Sequence, residues 1–147
     1  MKVLLPPHLF LICCLGMVLL RIYYPYYLWI SMPYNLIGFI LVVGGLAVSN
    51  WGSNSFRQHQ TNIHTFKKPD RLVIEGLFKY SRNPMYTGFL VALVGLFIVL
   101  GAISTAVFVL LFLIITDRWY IKYEEKELTE TFGSEYERYK ASTRRWI

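Results

Sequence analysis

Hydrophobic and polar residues segregate along this chain into long blocks rather than short alternations. Residues 3–20, 22–56 and 83–116 contain no Asp, Glu, Lys or Arg. An apolar stretch of about 18 residues or more suits a membrane-crossing helix, because roughly 20 residues span a hydrocarbon core about 30 Å thick. A soluble chain of this length has no means of keeping such runs from water. The pattern therefore predicts an all-α integral membrane bundle of about four transmembrane helices, followed by C-terminal amphipathic cytoplasmic helices. The domain reading is a single membrane domain over 1–147: N-terminal spans over 1–56, a cytoplasmic loop over 57–82, and a hairpin with the C-terminal segment over 83–147.

The first span covers residues 3–20, with Pro6 and Pro7 tolerated at a helix start. Lys2 before an apolar run also suggests a signal peptide. No small-residue cleavage site follows, and Arg21-Ile-Tyr-Tyr-Pro is the wrong flank, so the span is expected to be retained. A second span is expected over residues 34–51, with Gly38, Gly44 and Gly45 available for close helix contact. Between the two lie Tyr23, Tyr24, Tyr26, Tyr27 and Trp29, with Tyr34 beyond. This grouping suits an interfacial aromatic belt, the alternative being the lining of a ligand cavity.

The run 83–116 is too long for one crossing. Its 34 residues would extend about 51 Å as a single helix. Gly101 lies near its middle, and both ends are basic, with Arg82 before and Arg118 and Lys122 after. Two helices joined near Gly101 satisfy length and charge together. With four spans, both termini and the basic segment 57–82 fall in the cytoplasm. From Asp117 the chain turns polar while keeping helical period: Ile121, Leu128 and Phe132 share a face, and Gly133 suits a stop. Ser134 with Glu137 reads as a capping box opening a last helix. Tyr136, Tyr139 and Trp146 keep that tail amphipathic, for packing on the membrane or the bundle.

Composition sharpens this picture. Of 147 residues, 55% are hydrophobic and 16% charged, against about 25% charged in soluble domains. No Asp or Glu precedes position 70, and the net charge is +6. The partner this implies is the lipid bilayer; a nucleic-acid partner is not expected. Cys13 and Cys14 are adjacent inside an apolar span, so they read as packing residues. His59 and His64 are five apart in a loop without neighbouring Cys or acidic residues, so no metal site is expected.

Three features exceed a bland bundle. In the segment from Gly76 to Gly88, Pro84 forces Asn83 out of helical conformation and opens the next helix, with Arg82 beside it. A basic, proline-capped helix start explains this locally; so does an anion site, since such a start offers free N–H groups. In Glu124-Glu125, helical phase turns Glu125 into the stripe of Ile121, Leu128 and Phe132. A carboxylate there requires a partner: Arg82, Arg145 or the ammonium of a ligand. Glu127 and Glu130 fit a solvated face. The closing Arg144-Arg145-Trp146-Ile147, taken alone, reads as an interfacial anchor binding anionic lipid.

Taken together, these elements resemble the isoprenylcysteine carboxyl methyltransferase family, part of a wider group with phospholipid N-methyltransferases. The matching residues are Gly76, Arg82, Asn83, Pro84, Tyr86 and Gly88, then Glu124, Glu125, Leu128, Phe132, Gly133 and Tyr136, then Arg145 and Trp146. The resemblance covers residues 61–147, with the 61–69 loop corresponding to the border of the substrate entrance. Asn83 stands where eukaryotic members have His, and the chain lacks the extra N-terminal spans of the larger enzymes.

The resemblance implies S-adenosylmethionine bound between the hairpin and the C-terminal segment, in a pocket open to the cytosol. A lipidic or prenylated small substrate, with a carboxylate or thiol acceptor, would enter from the bilayer. It assigns Arg82, Asn83, Pro84, Tyr86, Glu124 and Glu125 to the cofactor and Arg145 to the acceptor group, with Glu125 and Arg145 as the catalytic pair. Tyr86 or Trp119 would face the sulfonium through cation–π contact. Two other readings stay open: an NADPH-dependent enzyme like the sterol reductases, and a non-enzymatic membrane protein retaining the fold. The sequence leaves the oligomeric state open.

Overall fold

The computed structural model describes residues 4–58 and 71–147. The features expected at Lys2, His59, His64 and the 61–69 loop lie outside the described residues. Within them the chain is all-α: α1 (Pro6–Tyr23), α2 (Gly38–Gln58), α3 (Pro84–Leu100), α4 (Ala106–Ile115), α5 (Lys122–Phe132) and α6 (Ser134–Ser142). Three helical stretches, Pro6–Tyr23, Tyr34–Ser55 and Ile103–Phe132, are long and apolar enough to cross a membrane. The fourth, α3, is apolar but has 17 residues, about 26 Å of helix.

α1 opens with Pro6 in its first turn, where a missing N–H costs nothing. It buries Leu9, Cys13 and Met17, one stripe at four-residue spacing, and leaves Leu11, Leu15 and Ile22 facing outward. Both cysteines are free, and Cys13 packs in the main core with Tyr86, Leu93 and Phe112. α2 and α3 pack backbone to backbone. A Cβ on Gly45 would lie 2.5 Å from the Gly88 carbonyl oxygen and the Ala92 nitrogen, and one on Gly88 would lie 2.5 Å from the Gly45 oxygen. Small residues permit this approach, and dispersion between the backbones holds the pair in lipid. Gly38 contributes as expected, but Gly44 points into open space; Gly52, against Met85, completes the seam instead.

The hairpin expected near Gly101 is present. Gly101 takes a left-handed conformation (φ +64°), with its N–H donating to Phe97 and Ile98. The last carbonyls of α3 lack intrahelical donors and need partners from outside the helix. Arg21 Nε donates to the Leu100 carbonyl at 2.9 Å and Asn35 Nδ2 to that of Val99 at 2.8 Å. The aromatic linker joins the same turn, with the Trp29 amide donating to Gly101 and the Ile103 amide to Tyr27. Its tyrosines face outward rather than lining a cavity. At the opposite end of the bundle, Tyr120 donates to the Leu4 carbonyl at 2.7 Å, near the start of α1.

α5 is the continuation of the last span rather than a separate helix. Residues Thr116–Ile121 between α4 and α5 are π-helical. Gly133 (φ +51°) ends α5, and α6 turns back against the loop before α3. The expected capping box does not form. Gly133 occupies the cap position, which places Ser134 inside the helix, while Glu137 accepts from Thr129 at 3.4 Å and pairs with Lys140 at 3.5 Å. Tyr136 and Tyr139 form a second core with Val73 and Phe78, and Tyr139 donates to the Phe78 carbonyl at 2.7 Å. The tail therefore lies against the protein.

Candidate functional site

Pro84 forbids helical geometry at Asn83, which adopts φ −132° and ψ 56°. The Asn83 amide donates to Ser81 Oγ at 3.1 Å, and its carbonyl accepts from both the amide and the hydroxyl of Thr87. This non-helical turn lets the C-terminal tail run alongside. The Arg82 amide donates to the Arg144 carbonyl, and Asn83 Nδ2 to that of Arg145, each at 2.9 Å. Two arginines distant in sequence thus meet at one carboxylate.

That carboxylate is Glu125. Arg145 donates to it through Nε at 3.0 Å and Nη2 at 2.6 Å, and Arg82 Nη2 pairs with it at 3.1 Å. Of the partners the sequence allowed, the structure supplies both arginines. Glu125 is 13% exposed and Arg82 10%, so this ion pair sits largely away from bulk water, with Arg145 reaching it from a more exposed position. Hydrogen bonding to Glu125, opposed by burial, holds the Arg145 guanidinium above its ordinary range. Arg145 Nη1 and the Trp146 indole N–H both reach Asp117 Oδ1, at 3.2 and 3.1 Å. Arg145 and Trp146 are therefore parts of this cluster rather than a lipid anchor.

Beside it, the buried Tyr86 donates to Glu124 Oε1 at 2.6 Å. Trp119 is 64% exposed and stacks on Tyr120, so it stands on the outer surface, and of the two aromatics Tyr86 alone belongs to the cluster. Arg82 is not saturated. Its Nε and Nη1 are buried and meet no hydrogen-bond acceptor among the described residues. Such donors are costly to leave unmet, and their arrangement suits an anionic group such as a carboxylate. Among the described residues, no three of His, Cys, Asp and Glu converge as a metal site.

Residues 34–135, from the second span through Glu124 and Glu125, match the family model described as phospholipid methyltransferase. The chain belongs to the phospholipid methyltransferase family. It is 36% identical over 112 residues to two rice proteins, from Oryza sativa subsp. indica and subsp. japonica, each named "Probable protein-S-isoprenylcysteine O-methyltransferase". These alignments cover 71% of this chain and 56% of each rice protein, so the chain spans little more than half the length of these relatives. No solved structure shows significant similarity to it. The family match contains Arg82, Asn83, Pro84 and Tyr86 as well as the Glu pair, and ends before Arg145.

Of the residues that the isoprenylcysteine carboxyl methyltransferase resemblance places at the site, Arg82, Asn83, Pro84, Tyr86, Glu124, Glu125 and Arg145 come together at one end of the bundle, while Trp119 stands apart on the outer surface. Two contributors escaped the sequence reading. Ser81 holds the turn, which nothing local signals. Asp117 stands at the end of a charge-free run, and only a correct helical phase relates it to Glu125.

Proposed function

We propose that this protein transfers a methyl group from S-adenosylmethionine to a lipidic or prenylated small substrate, at the cytosolic face of a membrane. Arg82 carries this reading: a buried guanidinium with two unmet donor atoms, in a methyltransferase-family chain, fits the carboxylate of the methyl donor. Glu124, held by Tyr86, offers a carboxylate to the donor's ammonium or hydroxyl groups. Asn83 and Pro84 shape the turn, and Glu125 orients Arg82. When bound, the sulfonium supplies an electrophilic methyl group, whose C–S electron pair returns to sulfur as the acceptor bond forms.

Arg145 is the catalytic candidate on the acceptor side. Three of its five N–H donors are engaged by Glu125 and Asp117, which leaves two for an acceptor carboxylate. Such a carboxylate is already ionised at neutral pH and needs no base, so these residues have only to bind and align it. A thiol acceptor would first have to lose a proton. Arg71, Lys79, Arg82, Arg118, Lys122 and Arg145, which lie on the site's side of the helical spans while Arg21 lies by the Gly101 turn, support the cytosolic orientation.

Calorimetric titration of the detergent-purified protein with S-adenosylmethionine and with NADPH tests the reading. Saturable S-adenosylmethionine binding is expected, weakened by about 1.5–3 kcal/mol in Arg82→Gln, the loss typical of a charge-assisted hydrogen bond. Binding of NADPH alone would make the protein a reductase. Binding of neither would leave a non-enzymatic membrane protein.

A further inference from the structure

We infer that Asp117 is a positioning residue, which latches the C-terminal tail across the site and sets Arg145 against Glu125. This rests on the methyl-transfer reading for what is positioned. The latch itself rests on geometry alone.

Asp117 and Glu125 are eight residues apart. On an unbroken α-helix, eight steps of about 100° leave two side chains about 80° apart. The helix between them is π-helical over Thr116–Ile121, and a single π-turn absorbs about one residue. The offset falls to about 20°, so Asp117 and Glu125 stack on one face, two turns apart. Arg145 spans the pair, with Nη1 on Asp117 and Nε and Nη2 on Glu125. π-turns inserted in α-helices recur at functional sites, and here the insertion brings a second carboxylate within reach of one guanidinium.

Trp146 adds an independent contact. Its indole N–H donates to the same Asp117 oxygen, and its ring packs on the main core. Among the described residues Arg118 also pairs with Asp117, at 3.8 Å and mostly exposed. With the tail fixed at Arg145 and Trp146, the carbonyls of Arg144 and Arg145 are held for the Arg82 amide and the Asn83 side chain. Asp117 thus supports the turn that presents Arg82, without touching it.

Hydrogen exchange at the Arg82 amide reports the latch, and calorimetry with S-adenosylmethionine reports the site. In Asp117→Ala both should change: exchange at Arg82 faster by about tenfold and affinity weaker by about tenfold, roughly the loss of one charge-assisted bond. The melting temperature should fall by only a few degrees, the loss of this local contact rather than of the fold. Asp117→Glu, which keeps the charge, should recover most of both. Unchanged exchange in a folded Asp117→Ala protein would overturn the latch. Faster exchange with unchanged affinity would overturn positioning. A general loss of stability that Asp117→Glu does not rescue would also overturn it. If the wild type binds no S-adenosylmethionine, the methyl-transfer reading falls, and exchange alone decides whether Asp117 holds the tail.

Discussion

Changing Glu125 to Gln removes one charge from a site where that charge holds two arginines. In the wild type, Glu125 accepts from Arg145 at 3.0 and 2.6 Å and pairs with Arg82 at 3.1 Å. Gln keeps one oxygen but turns an NH₂ group toward a guanidinium in either orientation, so at least one contact becomes donor against donor. Breaking a buried pair by removing one partner costs about 3–5 kcal/mol. Arg145 is 36% exposed, so water recovers part of this, and a loss of about 2–4 kcal/mol is expected. At roughly 2–4 °C per kcal/mol for a chain near this size, the melting temperature should fall by about 5–15 °C. The assay is thermal unfolding in detergent, with Glu130→Gln as control. Glu130 pairs with Lys126 at 3.7 Å between exposed side chains, and such surface pairs contribute about 0–1 kcal/mol. An equal melting temperature in Glu125→Gln and wild type would refute the idea that Glu125 carries the cluster.

The helix seam gives a paired test: Gly45→Ala should destabilise the bundle by about 1–3 kcal/mol through backbone contact, while Gly44→Ala, facing open space, should be neutral by the same unfolding measurement. In a background lacking Cys13 and Cys14, single cysteines at Lys79 and Ser142 should label from the cytoplasmic side and one at Tyr26 from the other; labelling of Lys79 and Ser142 from opposite sides would eliminate the hairpin topology. Burial pushes the Tyr136 hydroxyl up to about 12, so its neutral form is favoured by folding. Stability should therefore be intact below pH 10, the ordinary tyrosine range, and decline as pH rises toward 12. Tyr136→Phe should flatten that decline in melting temperature.

The membrane class, the spans, the turn at Gly101 and the stop at Gly133 were legible in the sequence, because each follows from a local rule. Apolar run length sets a crossing, excess length demands a fold-back, and glycine is the residue that accepts positive φ. Pro84 likewise fixed the start of α3 and the non-helical Asn83. Helical phase also turned Glu125 inward correctly, since it and Ile121, Leu128 and Phe132 lie at or beyond the end of the π segment.

What tertiary structure decided were the matters that depend on partners distant in sequence. Local chemistry allowed Glu125 to meet Arg82, Arg145 or a ligand, and only the return of the tail along residues 81–83 showed that both arginines reach it. Gly44 and Gly45 are equivalent in composition, and the rotation of α2 against α3 decided that Gly45 makes the contact. Ser134 lost its expected cap role because Gly133 occupied that position. Asp117 was out of reach for a geometric reason: a wheel drawn at about 100° per residue misplaces whatever lies across a π-turn, and only the folded helix reveals the one over Thr116–Ile121.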